Sequence, residues 1–251
     1  MKFTWIGGPS FLLELGPFRI VGDPVLSDQI TLDGAVVTRV GPRPEVDIAG
    51  ADLVLVTSLR ADHFDAAAVA VCGAARVLLP GGGVESAQRV GIEGARDFAH
   101  GELMRIERDS SALVVHSVAA GPPAGAAADN GYFLKLERGE HPFTAYVTGD
   151  TMFSDATREI QRTHGYSNLL VLHVGAERSG GRLLSADAKE AMQIVYRMQP
   201  NAIAAVHHST FSHYTEPIAP FLDKISLTIY EKRLRRLREG ESFEKVIGPG
   251  E

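Results

Sequence analysis

The stretch from Ala51 to Asp65, Ala-Asp-Leu-Val-Leu-Val-Thr-Ser-Leu-Arg-Ala-Asp-His-Phe-Asp, constrains this chain more than any other. Leu53 to Val56 is an apolar, β-branched run bounded by polar residues, and it reads as a buried strand. It empties into a polar turn that carries Arg60, Asp62, His63 and Asp65. A buried strand is a rigid support, so reactive groups in the loop at its end keep their geometry.

Composition narrows the class. The chain has 251 residues, enough for one large α/β domain or two small ones. It is 45% hydrophobic and 22% charged, as in an ordinary soluble globular protein. Lys and Arg number 25 against 31 Asp and Glu, with no long block of one sign. Nucleic acid and anionic membrane are therefore not the expected partners; a small molecule is, and a homo-oligomer stays open. A single cysteine, Cys72, excludes an intramolecular disulfide and fits a reducing compartment. The N-terminus lacks a secretory pattern, and no run approaches the ~20 apolar residues that span a bilayer. The cytoplasm is the expected location.

Taken in order, residues 2–6, 11–15 and 18–21 read as strands separated by Gly7-Gly8-Pro9-Ser10 and closed by Gly22-Asp23-Pro24. Asp23 precedes a proline and is expected to be extended. Residues 25–50 show no clear periodicity. Residues 65–71 read as a short helix and 75–79 as a strand. The triple glycine 81–83 lacks a closing Gly-Lys-Ser/Thr and reads as a plain turn into a helix at 84–90. Strands are expected at 103–107, 112–118, 131–137, 143–148, 169–174 and 202–206, and a helix at 155–164. The loop 119–130 is a candidate border of a substrate entrance. Ser185 reads as an N-cap with Asp187 in the first turn. Ala188, Ala191, Met192, Val195 and Met198 then follow at helical spacing, with the methionines as core. Thr215 is read as the cap of a last helix, and the basic run 232–238 as its continuation or restart, ending near Gly240. The cluster His207-His208-Ser209-Thr210-Phe211-Ser212-His213 follows a strand; three imidazoles demand three sets of partners if buried, which favours a functional role.

The stretch at 57–63 resembles the metal-binding turn of the metallo-β-lactamase superfamily, in its ascorbate-6-phosphate lactonase-like branch. That family's pattern after a strand is Thr-His-x-His-x-Asp-His. Here it is Thr57-Ser58-Leu59-Arg60-Ala61-Asp62-His63, so the Asp-His half matches and the His-x-His half does not. Thr148-Gly149-Asp150-Thr151 matches the family's Gly-Asp-Thr motif, and His207 its late ligand histidine. Gly8 stands where the branch often has a histidine, and Pro122 where a loop histidine ligand is found. The resemblance runs from Phe3 to about Glu241 and implies one domain over 1–251. The implied fold is a four-layer αββα sandwich (α/β, α+β) of two mixed sheets flanked by helices.

The resemblance also implies the site. One of the family's two metals is held by positions that are Ser58, Arg60 and Pro122 here. The other is held by Asp62, His63 and His207 with Asp150 bridging, and all four are present. Two imidazoles and two carboxylates suit Zn²⁺, and also Mn²⁺ or Fe²⁺. Asp23 either braces the metal turn or caps its own backbone. Arg60 either supplies charge to a substrate oxygen or closes the site by pairing with Asp62 or Asp150. Ser58, Thr151, His208 and His213 are candidates around the substrate, and His116 and His173 read as structural or supporting histidines. Three functions stay open: a hydrolase of a lactone, ester or phosphoester with at most one metal; a metal-free binding or regulatory module; and a metal-free acid–base catalyst such as an isomerase, lyase or cyclase.

Overall fold

The computed structural model describes residues 1–74, 76–121 and 129–247. In chain order the elements are β1 (Lys2–Gly7), β2 (Ser10–Leu15), β3 (Phe18–Gly22), β4 (Gln29–Leu32), β5 (Ala35–Thr38), β6 (Leu53–Leu55), α1 (Ala66–Cys72), β7 (Val77–Leu79), α2 (Val84–Arg89), β8 (Ala95–Asp97), β9 (Leu103–Arg108), β10 (Ser111–Ala119) and β11 (Asn130–Glu137). They continue as β12 (Phe143–Val147), α3 (Asp155–His164), β13 (Leu169–His173), β14 (Arg178–Ser179), β15 (Arg182–Leu183), α4 (Ala188–Met198), β16 (Ala202–Val206), α5 (Ala219–Ser226), a 3-10 turn (Glu231–Arg233), β17 (Leu234–Arg235) and β18 (Ser242–Glu244).

Among the described residues two seven-stranded sheets form, in the orders β18-β1-β2-β3-β6-β7-β8 and β17-β16-β13-β12-β11-β10-β9. Both are mixed. β3, β6, β7 and β8 run parallel in the first, and β12, β13, β16 and β17 in the second. Side chains alternate along each strand and so sort into layers. Leu53 and Leu55 face the core between the sheets, whereas Val54 and Val56 pack beneath α1 and α2. Likewise Leu169 and Val171 enter the inter-sheet core, while Leu170 and Leu172 meet α4 and α5. Helices thus cover the outer face of each sheet, giving the expected αββα sandwich. No helix among the described residues is long and apolar enough to cross a membrane.

Several local expectations are corrected. Asp187, not Ser185, caps α4, accepting from the N–H groups of Lys189 and Glu190. The Thr215 hydroxyl donates to the Ala176 carbonyl instead of capping α5. The run 232–238 is not helical: Leu234 and Arg235 pair with Ile203 and Ala204 at the edge of the second sheet. Asp23 is not extended but left-handed, with φ 41°, a conformation that aspartate visits more readily than most residues. The chain at 25–50 contains the β4–β5 hairpin. Pro122 and positions 122–128 of the proposed entrance loop lie outside the described residues, as does Ala75.

α1 is anchored where the central turn ends. One oxygen of Asp65 accepts from the N–H groups of Ala67 and Ala68 at the start of the helix. The other accepts from Leu26 N, Ser27 N and the Ser27 hydroxyl at 3.1, 3.0 and 2.7 Å. Burial opposes its charge, but Ser27 and these N–H groups hold the carboxyl below its ordinary range. Asp65→Ala is expected to lower stability by about 1–2 kcal/mol at neutral pH, measured by urea denaturation. Because the folded pKa is depressed, that contribution is complete above about pH 4 and fades as pH falls through the folded value. An equal loss at pH 7 and in strong acid would contradict it.

Candidate metal centre

The parallel strands of both sheets end at one edge, and their carboxyl ends carry the polar groups. Asp23 follows β3, the 57–63 turn follows β6, Asp150 follows β12, His173 ends β13 and His207 follows β16. Asp23 is the brace. Its N–H donates to Leu55 O at 2.8 Å, and its buried carboxylate accepts from Thr57 N and the Thr57 hydroxyl, both at 2.6 Å. The same carboxylate meets His63 Nδ1 at 3.0 Å and His173 Nε2 at 3.3 Å. Burial works against its charge, but His63 and then His173 hold Asp23 below the usual carboxylate range. Burial pushes the His173 imidazole down, so it stays neutral while donating to Asp23.

With Nδ1 committed to Asp23, His63 turns Nε2 inward. It lies 3.2 Å from Asp150 Oδ2 and 3.7 Å from Asp62 Oδ2. His207 Nε2 is 3.3 Å from Asp62 Oδ2, and its Nδ1 is 3.6 Å from Asp150 Oδ1. The four residues named by the resemblance therefore meet, and all are buried. Asp62 Oδ1, His63 Nε2, Asp150 Oδ1 and His207 Nδ1 have no hydrogen-bond partner among the described residues. Orphaned buried polar atoms carry a heavy desolvation cost, and ligand atoms of His63, Asp150 and His207 lie within 4.8 Å of one another. A divalent ion accepts electron pairs from such atoms, so the donor set fits one. Burial opposes a charge on His63, but Asp150, Asp62 and Asp23 hold its pKa well above the ordinary imidazole value. Asp62 is driven well below the carboxylate range, against its burial, by His63, His207 and His213. A cation that binds His63 through Nε2 must displace a proton, so uptake is coupled to pH.

Close backbone contacts set His207. It is left-handed at φ 63°, and its N–H donates to Gly8 O at 2.6 Å. Its carbonyl lies 2.4 Å from where a Cβ on Gly175 would sit, at φ 125°, so only glycine fits there. A Cβ on Gly149 would sit 2.7 Å from Asn130 O, which lets the Asp150 turn pass close to β11.

Arg60 finds a partner that the sequence reading passed over. Its guanidinium makes a two-pronged ion pair with the carboxylate of Glu177, with NH1 at 2.9 Å from Oε2 and NH2 on Oε1. Its Nε is 3.9 Å from Asp62 Oδ1, a looser contact than the expected pairing. Glu177 is buried at 3% exposure and lies four residues beyond β13. It follows the same rule as the central turn, a buried strand emptying into a polar loop, and that rule would have found it. Asp129 is the second omission. Burial and then Asp150 push its carboxyl up, against a hydrogen bond from Ser58 and the charge of Arg60.

The other candidates divide. His213 joins the cluster, with Nε2 at 3.2 Å from Asp62 Oδ2. Ser58 touches Asp129 and the N–H of Arg60. The Thr151 hydroxyl donates to Thr148 O and so secures the turn that carries Asp150. His116 lies on β10, packed against His164 with ring centroids 4.8 Å apart and the rings tilted by 57°, and does not join the site. His208 points away too. It packs on Trp5 at 4.5 Å and lines a small cavity of about 80 Å³ with Ile218, Leu222 and Leu234.

Burial pushes the His208 imidazole down to about 4. The unfolded chain protonates this group near pH 6.5 and the folded chain only near 4, so stability falls as pH drops through that interval. A loss of up to about 3 kcal/mol follows at the acid end. His208→Gln is expected to flatten this limb of the stability–pH curve, and an unchanged limb would overturn the assignment.

Comparison with known proteins gives the family and the fold. Residues 2–207 match the family described as the β-lactamase superfamily domain. The chain belongs to that superfamily and has its metallo-β-lactamase fold. It is 26% identical over 259 residues to a UPF0173 metal-dependent hydrolase of Methanopyrus kandleri, covering 98% of this chain and 100% of that protein. Among solved structures, it is similar to the isothiocyanate hydrolase from Delia radicum gut bacteria, with a TM-score of 0.78, 15% identity, and coverage of 98% of this chain and 99% of that one. Igni18, a metallo hydrolase of Ignicoccus hospitalis, gives a TM-score of 0.68 at 16% identity, with coverage of 98% and 99%. At these identities the two structures speak to the fold.

Proposed function

We propose that this chain is a hydrolase that uses at most one divalent ion, Zn²⁺ foremost and Mn²⁺ or Fe²⁺ as alternatives, on Asp62, His63, Asp150 and His207. Arg60 stands in place of the family's other metal. The supporting observation is that each of the four has a buried, unpartnered ligand atom, with His63, Asp150 and His207 offering ligand atoms within 4.8 Å of one another and Asp62 in contact with both histidines. A divalent ion held there supplies Lewis acidity, polarising a carbonyl or phosphoryl oxygen and easing the deprotonation of water. The chain's own groups do the rest. Asp150 and Asp62 stay ionised and can orient an attacking water. Arg60 keeps its charge at any working pH. Glu177 occupies one edge of the guanidinium, which leaves its other N–H donors for a substrate oxygen.

The substrate class is a small lactone, ester or phosphoester, by likeness to the ascorbate-6-phosphate lactonase-like branch. We read residues 1–251 as one domain acting on a small molecule in the cytoplasm, where a free cysteine persists. The test is metal content per chain, by elemental mass spectrometry, on protein purified without chelator or metal-affinity tag. About one equivalent, lost in His207→Ala, supports the reading and justifies a screen of lactones, esters, phosphoesters and an isothiocyanate. Two equivalents would contradict the one-metal site. None, after Zn²⁺ and Mn²⁺ are offered, would favour the metal-free alternative. That alternative draws on the imidazole beside each central carboxylate, His63 beside Asp150 and His213 beside Asp62.

A further inference from the structure

Asp62 Oδ2 has two imidazole nitrogens against it, His207 Nε2 at 3.3 Å and His213 Nε2 at 3.2 Å. Glu177 approaches the same point. Ligand atoms of Asp62, Glu177, His207 and His213 all lie within 4.8 Å of one another, a four-residue cluster beside the three-residue set of His63, Asp150 and His207. Bonds of 2.0–2.2 Å to a tetrahedral ion put neighbouring ligand atoms about 3.3–3.6 Å apart. The two nitrogen–oxygen separations at Asp62 are close to the lower end of that range. The other oxygen of Asp62 is wholly buried and has no hydrogen-bond partner among the described residues, with Arg60 Nε 3.9 Å away.

We propose a second position for a divalent cation, built by Asp62, Glu177, His207 and His213. It shares His207 with the three-residue set and Asp62 with the single-metal site proposed above, so under that reading one ion occupies one position at a time. Glu177 can serve it while paired with Arg60, because a carboxylate offers about four lone-pair directions and the guanidinium uses two. His213 comes from the loop after β16, seven residues past the end of the strand, and is the most exposed of the four. The second position therefore lies on the solvent side of the cluster, where an arriving ion meets it first. The inference rests on the single-metal reading above but makes its own demands.

The test is Zn²⁺ affinity, by competition with a chromophoric chelator, for the full chain and for His213→Ala, His213→Cys, Asp150→Asn and Asp150→Asn/His213→Ala. Losing a partner one shell away from a metal typically costs 10–100-fold in affinity, and losing a ligand costs no less. His213→Ala is expected to weaken binding at least about tenfold. Asp150→Asn keeps about one equivalent, and the double variant loses it. With Co²⁺, His213→Cys gains a thiolate-to-cobalt absorption band absent from the parent, whose lone Cys72 is buried. Unchanged affinity in His213→Ala, with no band in His213→Cys but metal still lost in His207→Ala, would overturn this position and leave the single-metal hydrolase standing. A parent chain that takes up no divalent ion would end both.

Discussion

Asp23→Ala is expected to destabilise the fold by about 3–5 kcal/mol, the range for breaking a buried charge pair by removing one partner. The carboxylate joins three segments that are remote in the chain: its own turn after β3, the central turn through Thr57 and His63, and the end of β13 through His173. Truncation leaves the Thr57 N–H, the Thr57 hydroxyl and two imidazole nitrogens without their acceptor in a dry site. Asp23→Asn separates charge from shape, since the amide keeps one acceptor and loses the pairing with His63. It should cost less than the alanine. The sign of the pH dependence follows from the depressed folded pKa: the contribution is complete above about pH 4 and is lost as pH falls through the folded value. Denaturation at neutral pH and near pH 3 measures both effects. A cost below about 1 kcal/mol for the alanine at neutral pH would show that the brace is dispensable.

His207→Ala is expected to lower kcat/KM at least 10³-fold on whichever substrate the screen identifies, about 4 kcal/mol of lost transition-state stabilisation. His207 belongs to both clusters and stands between Asp62 and Asp150, so its removal takes away a nitrogen donor that the two candidate positions have in common. The stability of the variant should change less than its turnover. The Gly8 and Gly175 contacts that set this segment are made by its backbone, which alanine keeps. The loss should fall on kcat. A variant with a raised KM and full kcat would show that His207 only binds substrate.

Much of this was legible in the sequence because it depends on local pattern. Strand periodicity located the sheets, and alternation along Leu53–Val56 and Leu169–Leu172 put each strand between a core and a helix layer. Asp62, His63, Asp150 and His207 were named because they match motifs of the metallo-β-lactamase superfamily, each in a loop that follows a buried strand. The failures have physical causes. Asp33-Gly34, both at positive φ, is a two-residue hairpin turn between alternating strands, and its signal in Gln29–Thr38 was present but short. The basic run at 232–238 has helical spacing, but pairing of Leu234 and Arg235 with β16 overrides that propensity. The meeting of His213 and Glu177 at Asp62 depends on how two loops fold back, which no local pattern encodes. Pro122, which the resemblance aligns with a loop ligand, lies outside the described residues.

The pair between Arg60 and Glu177 ties a loop of the first sheet to a loop of the second, across 117 positions of chain. A metal that bridges two loops is borrowed: it leaves when a stronger scavenger arrives or supply runs out. A guanidinium is covalently part of the polypeptide and is never exchanged. The Arg60–Glu177 pair thus fastens the two loops to each other whether or not a cation lies beside them.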